Sequence, residues 1–129
     1  MRLYHLSEDK NLTELTPRVP RFAVEGHEDV STPRVCFAKT ISGCLSALQD
    51  SPRRYYVYVP EGDVDFLVPT TKQVRDSIAT GEVWVLRPVK VNCIGIIQSS
   101  EYERKEYYSI GDDGDYVTRF CYPWRWVES

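Results

Sequence analysis

The apolar positions of this chain fall into short runs of β-branched and aromatic residues, separated by polar segments that contain proline or glycine. Such runs are typical of strands, so we predict strands over Arg2 to Leu6, Arg34 to Ala38 and Tyr55 to Gly62. From Glu82 onward, two nearly continuous β-branched runs follow, split by an Arg-Pro step. These two runs predict the central strands of the sheet.

A helical period occurs in two segments. In the first, the apolar residues recur at i, i+3, i+4 and i+7 and form a single stripe, consisting of Ile41, Cys44, Leu45 and Leu48. Thr40 or Ser42 can cap this helix. A second, shorter helix is predicted over residues 71–81, because Val74 and Ile78 lie four positions apart and Gly81 provides a stop.

The remaining segments have no clear period. Residues 7–15 predict a turn followed by one helical turn or an irregular segment, and residues 18–33 predict a long loop, which is often functional. The C-terminal part begins polar, predicts a hairpin turn at residues 111–114, and ends as an aromatic strand. Trp124 and Trp126 lie two apart, hence on one strand face, where such a pair packs on a core or marks a partner surface.

These elements predict an α+β fold with a twisted or split, mostly antiparallel sheet and two short helices. The 129 residues are enough for one sizeable core and too few for two, so residues 1–129 are predicted to form a single domain. No apolar run approaches the roughly 20 residues of a membrane helix, and the N-terminus lacks the apolar core of a signal peptide. We therefore expect a cytoplasmic protein that makes no membrane contact.

The net charge and the spacing of the cysteines disfavour two kinds of function. The net charge of −3 does not favour generic binding to nucleic acid. The four cysteines have no CxxC pair and no nearby cluster of histidines, so no metal site is predicted and the thiols are expected to be reduced.

Three motifs then stand in a suggestive order: "YHLS" in the first strand, "VCFA" before the first helix, and a later strand that opens on Glu82 after "TG". This order resembles the ADP-ribosyltransferase fold, in particular the His-Tyr-Glu class that includes diphtheria toxin and the poly(ADP-ribose) polymerases. The resemblance extends over most of the chain from Leu3 to Ile97. It implies an NAD-dependent enzyme, with NAD as the substrate.

The resemblance also implies roles for particular residues. Glu82 would be the catalytic carboxylate that stabilises positive charge at the ribose of NAD, and His5 would be a second catalytic residue that bonds a ribose hydroxyl. The nicotinamide pocket would be formed by Leu6, Ser7, Cys36, Phe37 and Cys44. Three arginines near the long loop could neutralise the pyrophosphate: Arg18, Arg21 and Arg34.

The sequence departs from the pattern of the family at three positions. Cys36 stands in place of a stacking tyrosine, Cys44 in place of a serine that bonds the carboxamide, and Leu6 in place of a glycine. Each motif residue also has an ordinary interpretation: His5 as a buried neutral histidine bonded to the backbone, and Glu82 as a solvated acid at the start of a strand.

We therefore expect a mono-ADP-ribosyltransferase of a small bacterial or phage type, with NAD as one partner and an unknown protein or nucleic-acid acceptor. The alternative is a catalytically inactive module on the same fold that binds a nucleotide or a protein partner. A third interpretation, an RNA 2′-phosphotransferase relative, requires many arginines in the cleft and is disfavoured by the net charge.

Overall fold

The computed structural model describes residues 2–20, 23, 28–48, 53–70, 72–74, 80–100, 105–110 and 116–127, and of residues 105–110 and 116–121 it describes the backbone alone. Nine strands and one helix occur within these residues. In chain order they are β1 (His5–Ser7), β2 (Glu14–Leu15), β3 (Val35–Ala38), α1 (Ile41–Leu48), β4 (Arg54–Pro60), β5 (Glu82–Val85), β6 (Val89–Ser99), β7 (Lys105–Ile110), β8 (Tyr116–Cys121) and β9 (Trp124–Val127).

The strands form one larger sheet and two ribbons, and every pairing is antiparallel. The larger sheet has the order β1-β4-β6-β2, with β9 also pairing with β6; the ribbons are β3-β5 and β7-β8. Strand β1 links the sheet to the β3-β5 ribbon, because Tyr4 and Ala38 exchange two backbone hydrogen bonds of 2.9 Å beside it. The prediction of an α+β fold with a split, mostly antiparallel sheet is therefore confirmed.

Two details differ from the sequence prediction, and a third lies mostly outside the described residues. Residues 14–15 were predicted as a helical turn or irregular segment, but Glu14 and Leu15 form a strand, because Val89 and Lys90 at the start of β6 pair with them. The helix predicted over 71–81 is not confirmed: residues 72–74 form a turn, Thr80 is helical, and 71 and 75–79 lie outside the described residues. Of the two predicted central strands, only β6 is central, since β5 pairs with β3 in its own ribbon.

Two apolar clusters form the core. Because successive side chains of a strand point to opposite faces, β4 contributes Val57 to one cluster and Tyr58 to the other. The first cluster joins the larger sheet to helix α1 and consists of Leu6, Ala38, Ile41, Cys44, Leu45, Tyr55, Val57, Ile97 and Tyr122. The second joins the sheet to the ribbon and consists of Leu3, Val35, Phe37, Tyr58, Val83, Val85, Val89 and Val91.

Helix α1 begins with a cap, as predicted, since the Thr40 hydroxyl accepts a hydrogen bond of 2.9 Å from the Gly43 N–H. Its predicted apolar stripe is buried except at Leu48, which is 44% exposed. Gly43 faces the Thr80 carbonyl so closely that an added Cβ would lie 1.9 Å from the oxygen. The helix therefore packs directly on the chain that leads into β5.

The two tryptophans of β9 lie in different environments, one against the core and one at the surface. Trp124 packs against the first cluster and donates its indole N–H to the Ser42 hydroxyl at 3.2 Å, at the start of α1. Trp126 is 47% exposed, and its ring covers Gly95 of β6. The two rings meet edge to face at 5.7 Å. Packing on a core is therefore confirmed for Trp124, whereas a partner surface at Trp126 stays a prediction.

Candidate functional site

A cavity of about 110 Å³ lies between helix α1 and the strands β1, β3 and β5. Its wall consists of residues 4–6 beside and in β1, residues 36–38 of β3, residues 44, 47 and 48 of α1, and residues 80 and 82 at the start of β5. The lining is mostly apolar and the cavity is partly open to solvent. An engineered apolar cavity of about 150 Å³ holds benzene, so this smaller, partly open cavity has room for one small ring at most.

The register of the ribbon explains how Glu82 reaches the cavity. Pairing of β3 with β5 places Phe37 opposite Val83, and the side chains of both enter the second core cluster. The alternate positions, Ala38 opposite Glu82 and Cys36 opposite Trp84, lie on the other face. This face of the ribbon therefore carries the polar groups, and its end at Glu82 forms part of the cavity wall.

Glu82 is buried, with 9% of its surface exposed. Its Oε2 accepts a hydrogen bond of 2.9 Å from the indole N–H of Trp84. A buried carboxylate requires such donors, because burial removes it from water. Gly81, directly before it, has a φ of 69°, a left-handed conformation that glycine adopts without a steric penalty. The interpretation of Glu82 as a solvated acid at the start of a strand is therefore wrong.

His5 lies on the same cavity wall and is hydrogen-bonded to the backbone. Its Nδ1 is 3.0 Å from the Cys36 carbonyl, and since a carbonyl only accepts, Nδ1 carries the proton. Burial lowers the pKa of His5 below 6.5; the Cys36 bond opposes this effect and the charge of Arg18 adds to it. The ring also meets Phe37 edge to face at 6.0 Å. A neutral imidazole protonated at Nδ1 has an acceptor at Nε2.

Both cysteines of the predicted site line the cavity as protonated thiols. Burial, reinforced by the negative charge of Glu82, raises the pKa of Cys36 and of Cys44 to about 12. The Cys44 thiol donates to the Tyr4 carbonyl at 3.2 Å. Because the thiolate is the nucleophile, neither group is activated for covalent chemistry. Together with Cys93 they are free cysteines, and the Cys121 side chain lies outside the described residues.

The other residues of the predicted nicotinamide pocket are placed as follows. Leu6 and Phe37 line the cavity, each with most of its side chain in a core cluster. Ser7 does not line it; the Ser7 hydroxyl instead accepts a hydrogen bond of 3.1 Å from the Asp9 N–H in the turn after β1. The cavity thus collects every residue predicted from the three motifs except Ser7.

Of the three arginines predicted for the pyrophosphate, the two that the structure describes, Arg18 and Arg34, do not line the cavity. Arg18 pairs through its backbone with Arg34, and its charge acts on His5. The Arg34 side chain is buried; it pairs with Glu28 at 3.4 Å and packs on Trp84. Arg21 lies outside the described residues. Arg34 is therefore a structural residue of the ribbon rather than a free phosphate ligand.

Sequence reasoning missed several residues of the site. Tyr4, Ala47, Leu48 and Thr80 line the cavity, and Trp84 bonds the carboxylate from behind. Trp84 could have been found, because a residue two positions after Glu82 on a strand shares its face. Whether the other four residues line the cavity depends on how helix α1 packs, and a local sequence pattern does not show this.

Two further searches concern the described part of the chain. Within it, no group of three or more His, Cys, Asp or Glu side chains is placed to hold a metal ion. No helix in that part is both long and apolar enough to cross a membrane.

Comparison of the chain with protein-family models, with curated proteins and with solved structures finds no match in any of the three.

Proposed function

We propose that this protein is an NAD-dependent mono-ADP-ribosyltransferase related to the His-Tyr-Glu class. One observation carries the proposal: residues from three separate motifs, predicted to act together, line a single cavity. His5 comes from β1, Cys36 and Phe37 from β3, and Glu82 from β5. Their convergence supports a common site more strongly than any motif alone.

The size of the cavity limits what could enter it. Pockets that enclose whole drug-sized ligands have volumes of roughly 300 to 1,000 Å³, whereas this cavity has about 110 Å³. The nicotinamide ring of NAD is the part that would fit, with the rest of the dinucleotide outside. Tyr4, Leu6 and Ala47 in the wall offer apolar contacts to a flat ring.

When bound, NAD supplies a ribose carbon that becomes positively charged as nicotinamide departs. Glu82 would stabilise that charge, because a carboxylate fixed in a site of low polarity acts strongly on a nearby cation. His5 would accept a hydrogen bond from a ribose hydroxyl through Nε2, since Nδ1–H is held by the Cys36 carbonyl. The role of His5 requires the neutral imidazole that its burial favours, and the role of Glu82 requires an ionised carboxylate, to which the Trp84 N–H donates a hydrogen bond.

The alternative, a nucleotide-binding or protein-binding module without catalysis, is favoured by a specific contact. In the related enzymes a serine at the position of Cys44 would bond the carboxamide, but here the thiol donates to the Tyr4 carbonyl. A thiol is also a weaker donor than a hydroxyl. Binding of NAD without its consumption would support this alternative.

The proposal is tested by measuring nicotinamide release from NAD, and transfer of labelled ADP-ribose to proteins or nucleic acids of a cell lysate. Glu82→Gln removes the charge and keeps the shape, so we expect activity to fall by roughly 100-fold or more. Glu61→Gln is the matched control, because Glu61 is exposed and lies away from the cavity wall. If the wild type produces neither nicotinamide nor a labelled product, the proposed enzymatic function is wrong.

A further inference from the structure

The geometry points to Trp84 as the positioning residue of the Glu82 carboxylate, with Arg34 holding the indole of Trp84 in turn. The catalytic role inferred for Trp84 rests on the proposed function. The contacts among Arg34, Trp84 and Glu82 do not depend on it. Trp84 does not line the cavity, so it would act through Glu82 and not on a substrate.

The first step is the contact between Trp84 and Glu82. They lie two positions apart on β5, and their side chains therefore leave the same face of the ribbon. The indole N–H donates to Oε2 at 2.9 Å. Trp84 is fully buried, with 0% of its surface exposed, so the donor cannot turn toward water. A carboxylate bonded to an immobile donor has fewer orientations available to it.

The second step is the support of the indole itself. The guanidinium carbon of Arg34 lies 4.1 Å from the centroid of a Trp84 ring, which is a cation–π contact in a region without solvent. Arg34 is 2% exposed, and within the described residues its Nε has no hydrogen-bond partner. The Nε–H is thus a buried donor without an acceptor among these residues, an unfavourable feature that the contact between the guanidinium and the indole face partly offsets.

The third step is the anchoring of Arg34 by the loop before β3. Its Nη1 donates to the Asp29 carbonyl at 2.6 Å and to the Thr32 carbonyl at 3.1 Å, and its Nη2 donates to Glu28 at 3.4 Å. A chain of contacts therefore runs from this loop through Arg34 and Trp84 to the carboxylate. Part of the long loop serves to hold the site, which gives it a role other than binding phosphate.

The Trp84 contact is tested first by NMR of the indole N–H groups in the full-length protein. The chain has three tryptophans, and single Trp→Phe variants assign the signals. Glu82→Gln replaces the charged acceptor with a neutral one, so the Trp84 proton signal should move upfield by about 0.5 ppm or more. Glu61→Gln should leave it in place. An unchanged Trp84 signal in Glu82→Gln would overturn the inference.

The catalytic consequence is tested by kinetics of nicotinamide release. Trp84→Phe removes the donor, and we expect kcat to fall about 10- to 100-fold with the KM for NAD nearly unchanged, because orientation and not binding is lost. Since Trp84 is buried, a second variant carries at position 84 a tryptophan analogue with sulfur in place of the indole N–H. It keeps the packing and should show the same loss, whereas 4-fluorotryptophan, which keeps the N–H, should restore activity.

These results separate the inference from the proposed function. If the wild type releases no nicotinamide, the proposed function fails, and the indole signal alone decides whether Trp84 holds Glu82. If the wild type is active and the sulfur analogue has the kcat of the wild type, the positioning role is wrong and the function stands.

Discussion

Burial decides the protonation state of the polar side chains at the cavity. His5 is held neutral, and Cys36 and Cys44 are held as thiols, since their surroundings disfavour charge. Glu82 is buried with an indole donor at its carboxylate. A candidate site with one acid and a neutral histidine is suited to stabilising a cation.

The neutral state of His5 predicts a pH-dependent stability. Because the folded-state pKa lies below 6.5, the unfolded chain binds the proton more readily, so stability is full above pH 6.5 and falls as the pH is lowered toward the folded-state pKa. The slope from this one group is at most about 1.4 kcal/mol per pH unit. Urea unfolding at several values between about pH 5 and 7 measures it.

The variants for this test are His5→Asn and, as control, His27→Asn, which replaces the only other histidine of the chain. His5→Asn should lose the slope attributed to this group, and His27→Asn should keep it. Equal slopes in His5→Asn and the wild type would mean that His5 is not held neutral by burial.

The sequence could identify individual residues only where a motif marks them. His5 was conspicuous because it interrupts an apolar strand, and Glu82 because it follows a glycine at the start of a β-branched run. Arg34 was assigned to phosphate because a sequence shows an arginine's charge and not its burial. The structure buries it against Trp84, where two carbonyls and Glu28 accept hydrogen bonds from its two terminal nitrogens.

Helix α1 and the entry to β5 are joined by the contact of Gly43 with the Thr80 carbonyl. Alanine usually stabilises a helix by up to about 1 kcal/mol relative to glycine. At position 43, however, the new Cβ would lie 1.9 Å from a backbone oxygen, so the helix or residue 80 must move. We expect Gly43→Ala to lower the free energy of unfolding by about 1 to 3 kcal/mol.

Gly62→Ala is the matched control for this prediction, because an added Cβ there meets no atom within 4 Å. Its effect on stability should stay within about 0.5 kcal/mol. Denaturant unfolding compares the two variants, and a Gly43→Ala protein as stable as the wild type would show that helix α1 does not pack closely on Thr80.

Elements with a strong period could be predicted and short paired elements could not. Helix α1 shows a full apolar stripe, and β4 and β6 are long β-branched runs. Strand β2 has two residues and no period of its own; it exists because Glu14 and Leu15 pair with β6. Whether these two residues form a strand therefore depends on tertiary pairing and not on their local sequence pattern.

In the molecule as a whole, the cavity lies where the larger sheet and the ribbon separate. Strand β1 belongs to the sheet, yet Tyr4 beside it bonds Ala38 of the ribbon, and helix α1 covers the junction. The α+β class with a twisted or split sheet could be predicted because many strand signals stand against few helix signals. The size of the cavity did not, because it depends on how α1 packs on both parts.

The most direct test of the proposed site is a calorimetric titration of NAD into the wild type and Ala47→Phe. Ala47 is exposed and lines the cavity, so a phenylalanine there should obstruct the cavity without entering the core. Lys10→Phe, at an exposed position that does not line it, is the control. We predict that the wild type and Lys10→Phe bind NAD and that Ala47→Phe binds at least about tenfold more weakly. No binding by the wild type at roughly millimolar NAD, or equal binding by Ala47→Phe, would contradict the proposed site.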